Sequence, residues 1–304
     1  MKKKTIFTIL LTLFTLTTQA QLLFRISGGE MKDSSYILGT IHYLSDSLLD
    51  SIPEYQKAEG MCQQMYVEIK PSMNKLFDNN NVQKQKQERQ TLKYQDGKTI
   101  FDVIDHKSAT ILKEKIKEAL HINLDEPTWK EFWKCTPAMF QNMLSTNMSR
   151  KIRKNGGMDF YLMSKAMKRG WNVGELDDDI QKMGYLSILQ EKQPQTIEEQ
   201  ADSLMFFLQN YNELKQQMEQ RFETICNYWM IGDFEGFANY YLKEVEQYPN
   251  LYKDRNEKWL PKMLSAMREK PTMFIFGAGH LIGEHGVIQL LRNEGLVVEQ
   301  VKWK

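Results

Sequence analysis

The two ends of this chain share one local pattern, in which an apolar stretch stops at a glycine and a histidine follows three residues later. SYILGTIHYL near the N-terminus contains Gly39 and His42, and MFIFGAGHLIGEHG near the C-terminus contains Gly277 and His280. In parallel α/β sheets, the ligand crevice lies at the carboxyl ends of the strands. We therefore expect a sheet that brings both ends of the chain to one site.

Each residue type in this pattern has a physical role. A glycine directly after a strand permits a positive φ or a close backbone approach, so Gly39, Gly277 and Gly279 are assigned to the turns of the site. A histidine three residues later is expected near the first turn of the next helix, where the macrodipole disfavours imidazolium. Neutral imidazole is the form that binds metals or accepts a proton.

Composition indicates a globular chain without a polyanionic partner. The 304 residues are 41% hydrophobic and 26% charged, which is enough to bury a full core. Lys and Arg number 40 against 39 Asp and Glu, so the charge balance gives no reason to expect nucleic acid or an anionic membrane surface as a partner.

The first residues have the composition of a secretory signal peptide. In MKKKTIFTILLTLFTLTTQA, residues 1–20, three lysines precede an apolar run and small residues end it. The run is shorter than the roughly 20 residues that cross a bilayer, and no later segment is apolar enough to do so. We expect a mature chain of residues 21–304 that is exported, either to the periplasm or out of the cell.

The three cysteines do not form a metal or redox motif. Cys62, Cys135 and Cys226 are too far apart in sequence for a CxxC arrangement, and an odd number permits at most one internal disulfide. We interpret them chiefly as buried structural residues.

The order of elements predicts an α/β (α+β) fold. Apolar segments 22–26 and 36–38, separated by a Gly- and Ser-rich turn, predict a β-hairpin. A helix from Pro53 and a strand over 65–69 follow, so the second hairpin strand and this one should form a βαβ unit. The pattern is then mainly helical over about 72–272, except for a strand over 171–176. Strand, turn, helix and strand close the chain over 273–276, 286–293 and 296–301. We predict one domain whose mixed sheet comes from both terminal segments.

Three predicted strands end in groups that a metal ion could use. These are His42, His280 and Glu68, which stands at the end of MYVEI. Two imidazoles and a carboxylate with an open fourth position are common in hydrolytic metal centres, where the metal lowers the pKa of bound water to about 7. Glu68 could instead be a buried carboxylate satisfied by backbone N–H groups. We expect His106, His121 and His285 to lie on the surface.

YILGTIHYL, YVEIK and FIFGAGHLIGEHGVIQLLRNEGLVVEQV together resemble the TraB/PrgY/GumN family, which includes the animal TIKI proteins. GGMDFYLMSKAMKRGWNVGELD, NYWMIGDFEGF and KDRNEKWLPKM resemble further family segments, so the resemblance covers nearly the whole mature chain. It implies an α/β core with a large helical insertion. For the TIKI branch it implies a metal-dependent protease that needs both Gly-x-x-His motifs and, here, Glu68.

The resemblance also draws attention to polar residues outside the two motifs. Arg255 matches the family's Arg-Asn pair and could stabilise an oxyanion or hold a substrate carboxylate, although an exposed arginine paired with Asp254 or Glu257 would give the same pattern. The chain departs from the family's Leu-Glu-Thr at GELDD, so the acid at this position could be Glu175 or Asp177. Asp159 is another candidate, or a cap of the helix that follows.

Our leading hypothesis is an exported metal-dependent hydrolase, most plainly a peptidase. His42, His280 and Glu68 would surround a divalent ion, with Glu68 as ligand or general base and Arg255 at the rim. The mixed nitrogen and oxygen set suits zinc, manganese or cobalt. The alternatives are a metal-free esterase-type hydrolase that uses His and Glu, and a non-enzymatic protein that binds haem or a peptide signal, since the TraB and PrgY proteins are associated with shutting down a peptide pheromone. The substrate would be a peptide or a small molecule, and the sequence leaves the oligomeric state open.

Overall fold

The computed structural model describes residues 22–42, 44, 49, 52–70, 97–121, 129–152, 157–177 and 196–301, with only the backbone described for 150–152. The strands in these residues are β1 Leu23–Ser27, β2 Ser35–Thr40, β3 Gln64–Val67, β4 Asn172–Glu175, β5 Thr272–Gly277 and β6 Val297–Gln300. The helices are α1 Pro53–Met61, α2 His106–Leu120, α3 Pro137–Ile152, α4 Met158–Lys168, α5 Ile197–Gln209, α6 Tyr211–Ile231, α7 Phe234–Gln247, α8 Lys253–Glu269 and α9 Val287–Asn293. The signal peptide predicted for 1–20 lies outside the described residues.

One mixed sheet contains all six of these strands, in the order β4-β3-β5-β2-β1-β6. The first four strands in this order are parallel to one another, and β1 runs antiparallel to both β2 and β6. Thr40 at the end of β2 pairs with Gly277 at the end of β5, and Val67 at the end of β3 pairs with Ile275. The predicted mixed α+β architecture is confirmed, and both Gly-x-x-His segments follow neighbouring strands.

The predicted hairpin is present as β1 and β2, but the predicted βαβ unit differs from the structure in one respect. Strands β2 and β3 are parallel, yet β5 lies between them and hydrogen-bonds to both. All six residues of β5 are buried. A parallel strand that is apolar along its length needs cover on both faces, so it occupies the middle of the sheet rather than an edge.

Two hydrophobic clusters divide the described residues. The larger one contains the sheet together with residues of α1, α4, α8 and α9, and includes Phe274, Phe276 and Trp259. The smaller one is formed by helices of the middle of the chain and includes Leu112, Phe140 and Leu204. The predicted helical middle region therefore has a core of its own, while β4 from the same region joins the main sheet.

Neither a disulfide nor a membrane-spanning helix is found in the part of the chain that the structure describes. All three cysteines are free, with Cys62 and Cys135 buried and Cys226 partly buried. None of the described helices combines the length and the apolar character that crossing a bilayer requires.

Candidate functional site

The carboxyl ends of β2, β3 and β5 bring three predicted site residues together. His42 follows β2, Glu68 follows β3, and His280 lies in a short 3₁₀ turn, Ala278–Leu281, after β5. The Gly277 N–H donates to Glu68 Oε2 over 3.3 Å, and His42 Nε2 lies 3.9 Å from the same carboxylate oxygen. All three side chains line one cavity of about 520 Å³.

Asp159 holds the ring of His42. The Nδ1 atom of His42 donates to Asp159 Oδ2 over 2.5 Å, and the Thr40 hydroxyl donates to the other carboxylate oxygen over 2.6 Å. Helix α4 begins directly after Gly157, whose φ is +77° and whose absent Cβ would lie 2.4 Å from the His42 carbonyl oxygen. Asp159 is therefore a residue of the site and not the cap of its helix.

The charge state of His42 differs from the neutral form expected from the sequence. Burial among protein groups disfavours the charged ring, but the charge and hydrogen bond of Asp159, with the charge of Glu68, outweigh it and raise the pKa of His42 to about 9. The side chain keeps 44% of its surface exposed, on the cavity side.

Arg255 lies at the centre of the site and not at its rim. Its side chain is only 6% exposed, in contrast to an exposed arginine paired with Asp254 or Glu257. Nη2 donates to Glu68 Oε1 over 2.6 Å and Nε donates to Asp177 Oδ2 over 2.7 Å. The structure thus brings Asp177 into this cluster.

Glu175, the other acid considered at this position, has a different contact. One of its carboxylate oxygens accepts a hydrogen bond from the backbone N–H of Lys70 over 3.3 Å. Glu175 is the last residue of β4 and Asp177 lies two residues beyond it.

His280 is buried and neutral. Burial lowers its pKa to about 3, more than the nearby Glu68 charge raises it, and the Arg255 charge adds to the lowering. Its Nδ1–H donates to Asn256 Oδ1 over 2.6 Å, which leaves Nε2 to accept from Arg255 Nη1 over 3.2 Å. Asn256 was not predicted as a site residue, although its position directly after Arg255 in the Arg-Asn pair was a usable signal.

Glu68 stays ionised over nearly the whole pH range. Burial alone would raise its pKa, but the Arg255 guanidinium, together with the charged His42 ring, lowers it to about 2. Besides Arg255, the carboxylate has the backbone N–H of Gly277 as a partner. Glu68 is therefore not a carboxylate satisfied by backbone N–H groups alone, because the Arg255 side chain is also its partner.

Trp229, which was not predicted from the sequence, supports the first Gly-x-x-His turn. This buried residue of α6 donates from its indole Nε1 to the Gly39 carbonyl oxygen over 2.7 Å. The three remaining histidines lie on the surface as expected, and His285 pairs with Glu257.

Only part of the predicted ligand set is arranged to bind a metal ion. Within the described ranges, no group of three or more His, Cys, Asp or Glu side chains is arranged to hold a metal ion. His42 Nε2 and Glu68 Oε2 face one another, whereas His280 Nε2 faces the guanidinium of Arg255. Two of the three predicted ligands thus converge, and the third would join them only if Arg255 moved.

The comparison with protein families agrees with the arrangement of these motifs. A model of the TraB/PrgY/gumN family matches residues 22–300, which is most of the chain. The chain belongs to the TraB/PrgY/gumN family. This confirms the resemblance carried by the two Gly-x-x-His segments.

Similarity of this TraB/PrgY/gumN protein to curated proteins is partial. It is 34% identical over 65 residues to a protein of Nematostella vectensis named "Metalloprotease TIKI homolog", and this alignment covers 20% of the chain and 14% of that relative. The chain thus matches only a small share of the relative's length. No solved structure matches. Family membership and the partial similarity suggest a hydrolase and give a weak indication of a metal.

Proposed function

We propose that this TraB/PrgY/gumN protein is an exported, metal-dependent hydrolase that acts on peptides. The observation that carries the proposal is the pair of donor atoms His42 Nε2 and Glu68 Oε2, 3.9 Å apart on the wall of the cavity. Asp159 binds the other ring nitrogen of His42. In metal centres, a carboxylate at this position orients the imidazole and raises its basicity as a ligand.

Glu68 suits the role of ligand better than the role of general base. With a pKa of about 2, its carboxylate is ionised at neutral pH but binds a proton weakly. A divalent ion held by His42 and Glu68, with His280 as the third predicted ligand, would supply Lewis-acid activation of a water molecule and of the substrate carbonyl. Zinc, manganese and cobalt all suit this donor set.

The charges around His42 favour a cation at this end of the sheet. Glu68 and Asp177 pair with the Arg255 guanidinium, and Asp159 pairs with His42 itself. These three carboxylates stand beside one guanidinium, and the charges of Asp159 and Glu68 raise the pKa of His42. A proton and a metal ion would compete for His42 Nε2, so binding of the ion should release a proton.

Arg255 suits a positioning role rather than that of an oxyanion donor. Its guanidinium donates to Glu68, Asp177 and His280, and also to the Leu251 carbonyl oxygen over 3.4 Å. With these donors engaged, it fixes the direction of the Glu68 carboxylate and the His280 ring.

A metal-free hydrolase is the second candidate. The contact between Arg255 Nη1 and His280 Nε2 favours it, because direct action of His42 and Glu68 on water requires no movement of Arg255. Activity that survives exhaustive chelation would support this candidate over the first.

Export is proposed from residues 1–20, where lysines precede a short apolar run. Expression of the full chain should give a product in the periplasm or medium that begins near Gln21, as determined by mass spectrometry of the intact protein. An uncleaved cytoplasmic product would contradict export.

The decisive test combines metal content with hydrolysis. The mature protein, purified without chelators or a histidine tag, should contain close to one equivalent of a transition metal by elemental analysis and should cleave members of a defined peptide mixture. His42→Ala and Glu68→Gln should lose both properties. His285→Ala should keep both, because His285 is exposed and paired with Glu257 outside the cavity.

Two outcomes would overturn the leading proposal. Peptide hydrolysis by protein that contains no metal, and that takes up none when incubated with zinc, manganese and cobalt, would point to the metal-free enzyme. Stoichiometric capture of an intact peptide, or a Soret band on adding haem, without any hydrolysis would indicate a binding protein.

A further inference from the structure

One wall of the cavity carries an apolar stripe that the proposed chemistry does not use. Met218, Phe222 and Ile225 of α6 all line the cavity, and their spacing places them on one face of the helix. Helix α6, which is described from end to end, buries Tyr211 and Trp229, whereas the three residues of the stripe are only partly buried. The stripe therefore keeps part of its apolar surface uncovered by protein, and surface of this kind is what a ligand gains by covering.

Aromatic side chains of α7 and the segment after it form a second wall. The ring of Tyr252 lies 5.1 Å from the ring of His280, and its hydroxyl lies 3.5 Å from that of Tyr241. The Tyr241 hydroxyl in turn donates to Glu244 over 2.7 Å. This second wall therefore runs from the buried His280 through Tyr252 and Tyr241 to Glu244.

Among the described residues that line the cavity, the two charged side chains away from the carboxyl ends of the strands neutralise each other. Arg221 of α6 forms an ion pair with Glu244 of α7, and its guanidinium lies 5.5 Å from the centre of the Tyr241 ring. Because Arg221 and Glu244 already neutralise each other, this pair offers no counter-charge to a charged group that enters between the two walls. Burying a charge without a partner is costly, so the space between the walls favours apolar groups.

The size of the cavity limits what can enter. A volume of about 520 Å³ falls in the range of roughly 300–1,000 Å³ typical of small-ligand pockets. It accommodates one or two side chains with their backbone. Because His42 and Glu68 line the same cavity, a group held between the walls lies next to the proposed reaction centre.

We propose that the stripe of Met218, Phe222 and Ile225 is a specificity subsite for a large apolar or aromatic side chain, adjacent to the peptide bond that is hydrolysed. The assignment of this occupant as a substrate rests on the proposed function. The subsite itself rests on the spacing of the stripe, its partial exposure and its position in the same cavity as His42 and Glu68. The protein should therefore bind peptides with a large apolar side chain more tightly than peptides with a small or charged one.

Binding and turnover can be measured separately to test this. The probes are four blocked peptides, N-acetyl-Ala-Ala-X-Ala-amide with X as Phe, Leu, Ala or Glu. Their affinity for the mature His42→Ala protein, in which turnover should be absent, is measured by NMR titration. We expect the Phe and Leu peptides to bind roughly tenfold or more tightly than the Ala and Glu peptides.

A matched pair of variants assigns the preference to the stripe. Phe222→Ala, added to the same background, should reduce the preference for the Phe peptide by roughly tenfold. Phe206→Ala should leave it unchanged, because Phe206 is 64% exposed on α5 and does not line this cavity. Equal affinity for all four peptides, no binding up to millimolar concentration, or a preference that survives Phe222→Ala would overturn the subsite.

Turnover by the unmutated mature protein separates this inference from the proposed function. Side-chain preference in binding, without cleavage of any peptide in the presence of zinc, manganese or cobalt, would support the subsite and contradict the hydrolase. Cleavage without a preference among the four side chains would support the hydrolase and contradict the subsite.

Discussion

The Nη1 atom of Arg255 lies 3.2 Å from the Nε2 atom of His280, and this contact joins the two sides of the site. On one side, Asn256 holds the other nitrogen of the His280 ring. On the other side, the same guanidinium binds Glu68 and Asp177. Arg255 therefore determines whether His280 can join His42 and Glu68 around a common ligand.

Removal of the Arg255 charge should destabilise the fold strongly. Arg255→Met leaves two carboxylates, Glu68 and Asp177, without their buried partner, and this should lower the free energy of unfolding by about 3–5 kcal/mol. Urea unfolding at neutral pH measures the effect. Arg25→Met is the control, because its pair with Glu299 is about half exposed on both sides, and it should cost no more than about 1 kcal/mol. Equal losses for the two variants would contradict the central position of Arg255.

Asp159→Asn should lower the pKa of His42 from about 9 towards its ordinary value of 6.5, because it removes the main group that stabilises the imidazolium. NMR titration of the His42 ring protons in chelated protein measures this change. An unchanged titration would show that Asp159 does not control the charge of His42.

The same pair of proteins should differ in the pH dependence of stability. A pKa raised on folding contributes stability that is complete below the unfolded pKa, near 6.5, and is lost as pH rises through about 9. Between these values, the free energy of unfolding of the chelated wild-type protein should fall more steeply than that of Asp159→Asn. Parallel stability curves would contradict the ion pair.

An added methyl group at Gly277 should disturb the site. A Cβ at this position would lie 2.9 Å from His42 Nε2, closer than real Cβ contacts allow. Gly277→Ala should therefore displace the His42 ring and reduce hydrolysis and metal binding by at least tenfold, as elemental analysis and peptide assays would show. Gly60→Ala meets no atom within 4 Å and lies in α1, so it should leave both properties intact and stabilise the protein by about 0.5–1 kcal/mol.

The indole of Trp229 should contribute through its hydrogen bond. Trp229→Phe removes the donor to the Gly39 carbonyl and should cost about 1–3 kcal/mol more than Trp259→Phe, measured by urea unfolding. Trp259 is a matched control, since it is also buried but its Nε1 has no hydrogen-bond partner among the residues that the structure describes. A similar cost for both substitutions would assign the effect of Trp229 to packing alone.

Local sequence patterns predicted the elements and their approximate ends. The segments 36–38 and 273–276 appeared as strands because they are apolar, and they form the buried strands β2 and β5. The glycines marked the strand ends to within one residue, since β2 continues one residue past Gly39 to Thr40 and β5 ends at Gly277 itself. The position of β5 between β2 and β3 could not be predicted, because chain order favours pairing of successive strands.

The sequence by itself determined that His42, Glu68 and His280 each follow a strand, because an apolar strand is a local feature; that the three strands end at one edge of the sheet came from the tertiary structure. Only the tertiary structure decided which groups they meet. Asp159 and His42 are 117 residues apart in sequence, and Asp177 and Arg255 are 78 apart. Contacts between residues so far apart cannot be predicted from a local periodicity. The charged state of His42 and the neutral state of His280 follow from those contacts and from burial, which exist only once the chain has folded.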